Sequence, residues 1–373
     1  MAGIYIHIPF CKQKCTYCDF HFSTTFDRYR SQMLKAMLHE IDSRSSELNE
    51  KIKTIYFGGG TPSLLKSEEI KEFLIIINSK YELSDDVEIT LEANPDDIST
   101  DNVKEWVNLG INRLSIGIQS FDNEDLLWMN RAHNAKESLE AVKIAQMNGI
   151  DNISIDLIYG LPNMDEKRWK KQIKQATVLN VKHISAYCLT VEEKTKLNQL
   201  VKTKAIVPAN NEMQAKHFEI LQEELKKASF IQYEISNFGI ENYFSKHNSS
   251  YWKGEKYMGI GPSAHSFDGK NRSWNISNNA LYIAGLEKNQ RNFTSEELSP
   301  KDIFNEYLMT GLRTTWGVNL SKLNAIIPLT DSFNEKMKHL LSEEKAFVKE
   351  DNLYLTEKGM LFADAIALEL FED

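Results

Sequence analysis

The chain has 373 residues, of which 42% are hydrophobic and 26% are charged, a composition typical of a globular protein large enough for two domains. Its formal charge of −9 gives no indication of a basic surface, so we expect no nucleic-acid partner. The longest apolar run, residues 73–77, is far too short to cross a bilayer. We therefore expect a cytoplasmic protein without a transmembrane segment, for which peripheral membrane contact stays open.

Short strand-like runs alternate with helix-length segments through the first half of the chain. The strands are predicted at residues 4–8, 54–57, 87–92, 113–118, 153–157 and 183–189. Between them, segments such as 28–46, 139–147 and 166–179 have apolar residues at helical spacing. Such alternation indicates parallel strands joined by right-handed crossovers. We predict an α/β fold with an open six-unit barrel, and a flat doubly wound sheet fits the same periodicity. In either fold, functional residues gather at the C-terminal strand ends.

The pattern changes after residue 208. A helix predicted over 210–227 precedes a stretch rich in aromatic residues and glycine, 233–274, which we expect to be irregular. Later come predicted helices at 301–313 and 331–341, a hairpin whose strands include 347–348 and 353–355, and a final helix. This order predicts a small winged-helix-like domain. The predicted division of the chain is 1–235, 236–298 and 299–373.

Three cysteines lie close together after the first predicted strand. Cys11, Cys15 and Cys18 have the spacing C-x3-C-x2-C, whereas Cys188 lies in an apolar strand, where we expect it to be buried. A structural zinc ion takes four ligands, so this alternative needs His21 as the fourth. A redox dithiol needs only two of the thiols. A [4Fe–4S] cluster held by three thiolates keeps one iron open for a substrate or cofactor.

The cysteine spacing, with Tyr17 just before the third cysteine, resembles the radical S-adenosylmethionine (SAM) superfamily. This resemblance implies a partial (β/α)6 barrel in which Cys11, Cys15 and Cys18 hold a [4Fe–4S] cluster. In that family SAM chelates the open iron, and the cluster cleaves SAM reductively to a 5′-deoxyadenosyl radical. Residues 58–62, Gly-Gly-Gly-Thr-Pro, resemble the family's glycine-rich turn beside SAM, where a side chain would block close approach. A simple tight turn is the alternative for this segment.

Further segments resemble the coproporphyrinogen-type radical SAM proteins over nearly the whole chain. They are Tyr-Ile-His-Ile-Pro-Phe at 5–10, Gly-Gly-Thr-Pro at 59–62, Glu-Ala-Asn-Pro at 92–95 and Ile-Asp-Leu-Ile-Tyr-Gly-Leu-Pro at 155–162. By this resemblance, Tyr5 lies against the cluster or SAM. The other residues implied to bind SAM are Tyr17, Gly59, Gly60, Thr61, Glu92, Gln119, Arg131 and Asp156. Taken singly, the polar residues are equally well explained as helix caps or surface groups.

Two branches of that group differ in what they do with tetrapyrroles. The oxygen-independent coproporphyrinogen III oxidase decarboxylates two propionates, and it has another cysteine two residues after the cluster motif and an extension before the first strand. This sequence has Phe20 at that position, and its first strand is predicted to begin at residue 3 or 4. The resemblance therefore favours the second branch, the HemW-type heme chaperones, which bind heme and pass it to acceptor proteins. The oxidase stays the alternative.

The segment His-Asn-Ser-Ser-Tyr-Trp at 247–252 resembles the HNxxYW motif that is associated with heme binding in the heme chaperones. A neutral imidazole is a good axial ligand for heme iron, so His247 is the predicted ligand. The alternative is a turn with a hydrogen-bonded histidine and two core aromatic residues. His265 is a second candidate, although its segment is more typical of a backbone turn. The sequence identifies neither the heme-accepting protein nor the oligomeric state.

Overall fold

The structure is a computed structural model, and it describes residues 2–372. The first six strands pair in parallel and in chain order at the centre of a twelve-stranded sheet. These strands are β1 (Ala2–Ile8), β2 (Ile52–Gly59), β3 (Leu83–Ala93), β4 (Arg113–Gln119), β5 (Ile153–Tyr159) and β6 (His183–Cys188). The helices between them are α1 (Arg30–Ser43), α2 (Ser67–Lys80), α3 (Thr100–Asn108), α4 (Asn123–Trp128), α5 (Ala135–Met147) and α6 (Glu166–Val178). The two ends of the sheet do not pair with each other, which confirms the predicted open α/β barrel.

Local sequence explains where these elements lie. In β1, every residue except Tyr5 is buried, as expected for a strand covered on both faces. At the start of α5, the Asn134 side chain accepts from the backbone N–H of Glu137, and the Glu137 carboxylate accepts from the N–H of Asn134. This capping box fixes the first turn of the helix. The Asp165 carboxylate caps α6 by accepting from the N–H of Arg168.

The stretch 233–274 is not irregular, so that expectation was wrong. Its strands extend the sheet at both edges, after α7 (Lys196–Lys202) and α8 (Asn211–Lys227). The elements that follow are β7 (Ile231–Gln232), β8 (Asn237–Gly239), α9 (Lys246–Trp252), β9 (Lys256–Ile260), β10 (His265–Phe267), β11 (Asn271–Asn275), α10 (Asn279–Leu286) and β12 (Phe293–Glu297). β9 pairs in parallel with β1, and β8 pairs antiparallel with β6. The prediction failed because these strands are only two to five residues long and form through pairing with residues distant in sequence.

The last part of the chain forms a second small core. Its elements are α11 (Pro300–Leu312), β13 (Val318–Asn319), α12 (Leu320–Ile326), α13 (Asp331–Ser342), β14 (Ala346–Lys349), β15 (Asn352–Leu355), α14 (Glu357–Met360) and α15 (Ala363–Leu370). Phe304, Leu308 and Leu353 are among its buried residues. Glu350 and Asp351 connect β14 to β15 with positive φ angles of 51° and 65°, as a tight hairpin requires. The predicted helices and hairpin are thus present.

Candidate functional site

The C-terminal ends of the six parallel strands surround a cavity of about 680 Å³, which we call the cysteine cavity. Its volume is in the range of small-molecule sites. Cys11, Cys15 and Cys18 all line it. The same cavity brings together most of the other predicted site residues, namely Tyr17, Gly59, Gly60, Thr61, Glu92, Gln119, Arg131 and Asp156. Tyr5 and His247 are not among its lining residues.

Backbone hydrogen bonds hold the cysteine-bearing loop in place. The N–H of Cys11 donates to the carbonyl oxygen of Ser23 over 3.1 Å, and the N–H of Ser23 donates to that of Pro9 over 2.9 Å. In the middle of the loop, the N–H of Thr16 donates to the carbonyl oxygen of Met129 over 3.0 Å. The carbonyl oxygen of Thr16 accepts from the N–H of Leu197 over 2.9 Å. The loop is therefore anchored both to the segment after α4 and to the start of α7.

Two of the three sulfur atoms accept hydrogen bonds from neighbouring side chains. The Thr61 hydroxyl donates to Sγ of Cys11, and Nη1 of Arg131 donates to Sγ of Cys15, each over 3.4 Å. Nη2 of Arg131 donates to the carbonyl oxygen of Gly117 over 2.8 Å, which fixes the guanidinium group. Donors of this kind stabilise thiolates that ligate a metal cluster. The donor set therefore fits an iron–sulfur cluster.

The zinc alternative is not supported by the position of His21. Its Nε2 is 2.7 Å from Oδ1 of Asn279, and its Nδ1 is 3.1 Å from the Ser277 hydroxyl. His21 is also absent from the lining of the cysteine cavity. Throughout residues 2–372, no three His, Cys, Asp or Glu side chains are grouped as ligands of a single metal ion would be. Three thiols that line one cavity without being grouped as ligands of a single ion suit a multi-atom cluster better than one tetrahedral ion.

Burial favours the protonated thiols of Cys11 and Cys18 in the metal-free protein. It raises the pKa of Cys11 to about 12 and the pKa of Cys18 to about 11. Because a metal binds the thiolate, loading a cluster here must release protons. Cys188, which we expected to be buried in its strand, is only half-buried and lines the same cavity. Burial also raises its pKa to about 11.

The glycines of residues 58–62 are required by packing inside the protein. Gly59 has a φ of +105°, a conformation that other residues rarely adopt. A Cβ atom on Gly60 would lie 2.5 Å from the carbonyl oxygen of Phe10. The N–H of Gly60 also donates to the carbonyl oxygen of Ile8 over 2.8 Å. The turn after β2 therefore packs directly on the chain that leads to Cys11, while Gly59 and Gly60 still line the cavity.

Two half-buried carboxyl groups lie on one face of the sheet, Glu92 next to the last residue of β3 and Asp156 in the middle of β5. Tyr56 donates to Oε1 of Glu92 over 2.8 Å, and Ser115 donates to Oδ1 of Asp156 over 3.4 Å. Burial, reinforced by the nearby charge of Asp156, raises the pKa of Glu92 to about 7. Burial likewise raises the pKa of Asp156 to about 6. Such carboxyl groups are poised to ionise when a cationic ligand binds beside them.

Sequence reasoning missed three residues that act on this site. Arg113 is 1% exposed, and its positive charge lowers the pKa of both carboxyl groups. The sequence indicated this residue only through the position of an arginine at the start of a mostly apolar strand. Arg313 and Asp364 come from the C-terminal part of the chain, form an ion pair and line the cysteine cavity. No local pattern indicates that these distant residues reach the site.

The backbone of Gln119 is strained. Its φ is +66°, which is uncommon for a residue other than glycine. The register between β4 and β5 shifts between Ile116 and Gln119. The strand end therefore departs from regular pairing where its side chain lines the cavity, as is common at binding sites.

A second cavity of about 1020 Å³, which we call the aromatic cavity, adjoins the first. Asp19, Phe20 and Phe22 line both cavities. Residues of β9–β11 form one side of the aromatic cavity, and residues of α11 and α12 form another. Tyr5, which we expected against the cluster or SAM, lines this second cavity instead.

The imidazole of His247 is buried behind the wall of the aromatic cavity. The residue is 1% exposed, and its ring stacks on Tyr56 with centroids 4.9 Å apart. Its Nδ1 is 2.7 Å from the hydroxyl of Thr54, and its Nε2 is 2.7 Å from the hydroxyl of Tyr251. Tyr251 and Trp252 line the cavity, whereas His247 does not. Neither ring nitrogen is free for iron in this arrangement, which matches the alternative of a hydrogen-bonded histidine.

Comparisons with known proteins agree with this architecture. Residues 5–176 match the model of the radical SAM superfamily, and residues 298–362 match that of the HemN C-terminal domain. The chain is 33% identical to the heme chaperone HemW of Bacillus subtilis (strain 168) over 374 residues, which cover 98% of each chain. It is 30% identical to the heme chaperone HemW of Lactococcus lactis subsp. lactis (strain IL1403), with 95% of this chain and 93% of that one covered.

Among solved structures, the fold is similar to that of coproporphyrinogen III oxidase (HemN) from Escherichia coli, a radical SAM enzyme. The TM-score is 0.85, with 21% sequence identity, 99% of this chain covered and 90% of that chain covered. At this identity the likeness shows a shared fold only. Within residues 2–372, the helices all lack the combination of length and apolar character that crossing a membrane requires.

Proposed function

We propose, for a chain that belongs to the HemW family of radical SAM proteins, that it is a heme chaperone carrying a [4Fe–4S] cluster and SAM. The observation that carries this proposal is the similarity to HemW proteins along the full length of both chains. The cysteine cavity supports it, because the three thiols share that cavity with the half-buried carboxyl groups of Glu92 and Asp156. The division into residues 1–235, 236–298 and 299–373 belongs to the same proposal.

Cys11, Cys15 and Cys18 would hold the cluster through their thiolates. When bound, such a cluster supplies an open iron that SAM can chelate and an electron that can reduce SAM. Thr61 and Arg131 would stabilise the ligating sulfur atoms through the hydrogen bonds that they already donate.

SAM would bind in the cysteine cavity beside these thiols. It carries an ammonium group, a sulfonium group and ribose hydroxyls, all of which favour nearby carboxylates. Glu92 and Asp156 supply two carboxyl groups, and the charge of the ligand would hold both of them ionised. Gln119 and Arg131 would contribute hydrogen bonds, and Gly59 and Gly60 would leave the ligand room beside the turn. Tyr17 and Thr61 complete the proposed wall.

Heme would be the cargo of the protein, and a further protein would accept it. One reconstituted preparation tests this function. After anaerobic reconstitution we expect about four irons and about four sulfides per chain, the content of one cluster. Titration with heme should produce a saturable Soret band, and the same protein should transfer heme to a heme-depleted acceptor.

The oxidase alternative is tested with that preparation. With SAM, a reductant and coproporphyrinogen III, we expect no protoporphyrinogen, because Phe20 stands where the oxidases have a further cysteine. Formation of protoporphyrinogen would overturn the chaperone proposal in favour of the oxidase. A protein that binds no heme at all would overturn it as well.

A further inference from the structure

The aromatic cavity contains one histidine whose ring is available to a ligand. His7, His21 and His265 line the cavity. Nε2 of His7 is 2.8 Å from the carbonyl oxygen of His21, and its Nδ1 is 3.3 Å from the Tyr5 hydroxyl. Both nitrogens of His21 are also occupied. His265 is exposed to the cavity, and among residues 2–372 its ring nitrogens have no hydrogen-bond partner.

We propose that the aromatic cavity is the heme site and that His265, rather than His247, is the axial ligand of the iron. This inference rests on the proposed function and assigns the place and the ligand of the heme. It follows from a comparison of the two imidazoles: both nitrogens of His247 are engaged behind the wall, whereas those of His265 meet no hydrogen-bond partner in the described part of the chain.

The backbone holds His265 in a fixed position. His265 begins β10 and pairs with Trp274 of β11, and the two rings are stacked with centroids 5.8 Å apart. Close packing of backbone on backbone adds rigidity, because a Cβ on Gly259 would lie 2.0 Å from the carbonyl oxygen of His265. The N–H of Gly259 also donates to the Ser266 hydroxyl over 2.9 Å. Because His265 is already held in place, it loses little conformational entropy when it binds iron.

The walls of the cavity suit a flat apolar ring. Trp252 of α9 and Phe267 of β10 line it, as do Leu298, which precedes α11, Ile303 of α11 and Ile326 of α12. Its volume of about 1020 Å³ is large enough for a macrocycle, since it matches the upper range of ligand pockets. Aromatic and aliphatic walls of this kind favour an apolar macrocycle over water.

Cationic side chains in the same walls suit the two carboxylates of heme. Lys253 lies 4.3 Å from the ring centroid of Trp316, and Lys322 lies 4.4 Å from that of Tyr307. Neither lysine has a carboxylate partner within the described residues 2–372, and both line the cavity. Their charges are therefore available for heme propionates.

The charges around His265 also favour the form that binds iron. Burial, together with the positive charge of Arg272, lowers the pKa of His265, and the charge of Glu296 opposes this only in part. Glu306 faces the same cavity and is paired with Arg272. His265 is therefore neutral near neutral pH, and a neutral imidazole is the form that coordinates heme iron.

The test compares His265→Ala with His339→Ala, a control variant that removes an exposed imidazole outside the cavity. Ferric heme is titrated into each reconstituted protein. We expect His265→Ala to shift the Soret band and to weaken heme binding by at least roughly tenfold, as loss of a metal ligand should. His339→Ala should keep the parent's heme spectrum. Added imidazole should restore the parent spectrum to His265→Ala, which a merely structural role would not allow.

The possible failures are distinguishable. If the parent binds heme and His265→Ala gives the same spectrum and affinity, the assignment of His265 is overturned while the chaperone proposal stands. A shifted spectrum in His247→Ala together with an unchanged one in His265→Ala would return the ligand role to His247. If the parent protein binds no heme, the proposed function itself has failed. Iron–sulfur content, measured in every variant, shows that the rest of the protein is intact.

Discussion

The hydroxyl of Tyr251 lies 2.7 Å from Nε2 of His247 and separates that imidazole from the aromatic cavity. The other nitrogen of His247 is hydrogen-bonded to Thr54. One motif therefore contributes a buried histidine that positions a tyrosine, and the tyrosine forms part of the cavity wall. His247 therefore contributes mainly to the stability of the protein.

The first prediction concerns this buried imidazole. His247→Ala leaves a cavity and removes the hydrogen-bond partners of Thr54 and Tyr251, so we expect the free energy of unfolding to fall by about 3 kcal/mol. Tyr251→Phe removes only one of these bonds and should cost about 1 kcal/mol. Urea unfolding of the metal-free protein measures both values. A His247→Ala variant as stable as its parent would contradict the structural role.

The second prediction is that each cysteine of the motif is needed for the cluster. Replacing Cys11, Cys15 or Cys18 by alanine removes one of three thiolates, and we expect most of the iron and sulfide to be lost. Cys188→Ala is the matched control, since it removes a thiol from the same cavity outside the motif. Iron and acid-labile sulfide are measured after anaerobic reconstitution. Equal losses in all four variants would argue against a site made by the motif.

The third prediction is that the carboxyl groups of Glu92 and Asp156 bind SAM. Glu92→Gln and Asp156→Asn keep the shape of the side chain but remove its charge. We expect each to weaken SAM binding by roughly tenfold or more, because a charged hydrogen bond is lost. Iron content should not change, since neither residue carries a thiol. Calorimetry with the reconstituted protein measures the affinity, and Glu82→Gln, an exposed glutamate, serves as control.

If Glu92→Gln and Asp156→Asn both bind SAM as the parent does, these residues do not hold the ligand. Loss of iron along with SAM affinity would instead indicate that the carboxyl groups maintain the cysteine loop.

The fourth prediction is a pH dependence that comes from Glu92. Its pKa is raised by burial to about 7 in the folded protein, so between about pH 4.5 and about pH 7 the folded state binds more protons than the unfolded one. Glu92 therefore makes the ligand-free protein less stable as the pH rises through this range. Buried histidines with a lowered pKa, such as His7, act in the opposite direction.

The fourth prediction is therefore measured as a difference between two proteins. The stability of the parent minus that of Glu92→Gln should fall as the pH rises, and saturating SAM should reduce this fall. Unfolding in urea at several pH values gives the difference. A difference that is independent of pH would show that Glu92 has an ordinary pKa.

The fifth prediction concerns the turn after β2. Gly60→Ala would place a methyl group against the carbonyl oxygen of Phe10, so we expect a loss of about 2 kcal/mol in stability and a reduced cluster content. Gly254→Ala is the control, because its Cβ would meet no atom within 4 Å. Any cost there comes from the positive φ alone. Full cluster loading in Gly60→Ala would show that the loop adjusts to the added methyl group.

The sequence predicted the strands and most of the cysteine cavity because the relevant signals are local. The spacing of Cys11, Cys15 and Cys18 is contained in one loop. Glu92 and Asp156 lie in the C-terminal halves of strands whose apolar pattern is readable, and parallel pairing brings these parts of the strands to one edge of a sheet. Local pattern and parallel topology together were therefore sufficient to assemble these residues.

Other features depend on contacts that no local pattern contains. The strands β9–β11 exist through pairing with β1 and with each other, so a stretch with few alternating residues was mistaken for irregular chain. Tyr5 lines the aromatic cavity although its side chain lies on the same face of the sheet as Glu92, because Tyr5 is nearer the start of the parallel strands. Arg313 reaches the cysteine cavity from a separate core.

The loop after the third cysteine gives one wall to two cavities, since Asp19, Phe20 and Phe22 line both. Under the proposed assignments, SAM or heme that moves this wall in one cavity changes the space in the other and thereby links the occupancy of the two sites. By reciprocity, any factor by which SAM alters the affinity for heme is also the factor by which heme alters the affinity for SAM. With such a link, an affinity measured for either ligand has a defined meaning only when the occupancy of the other site is fixed.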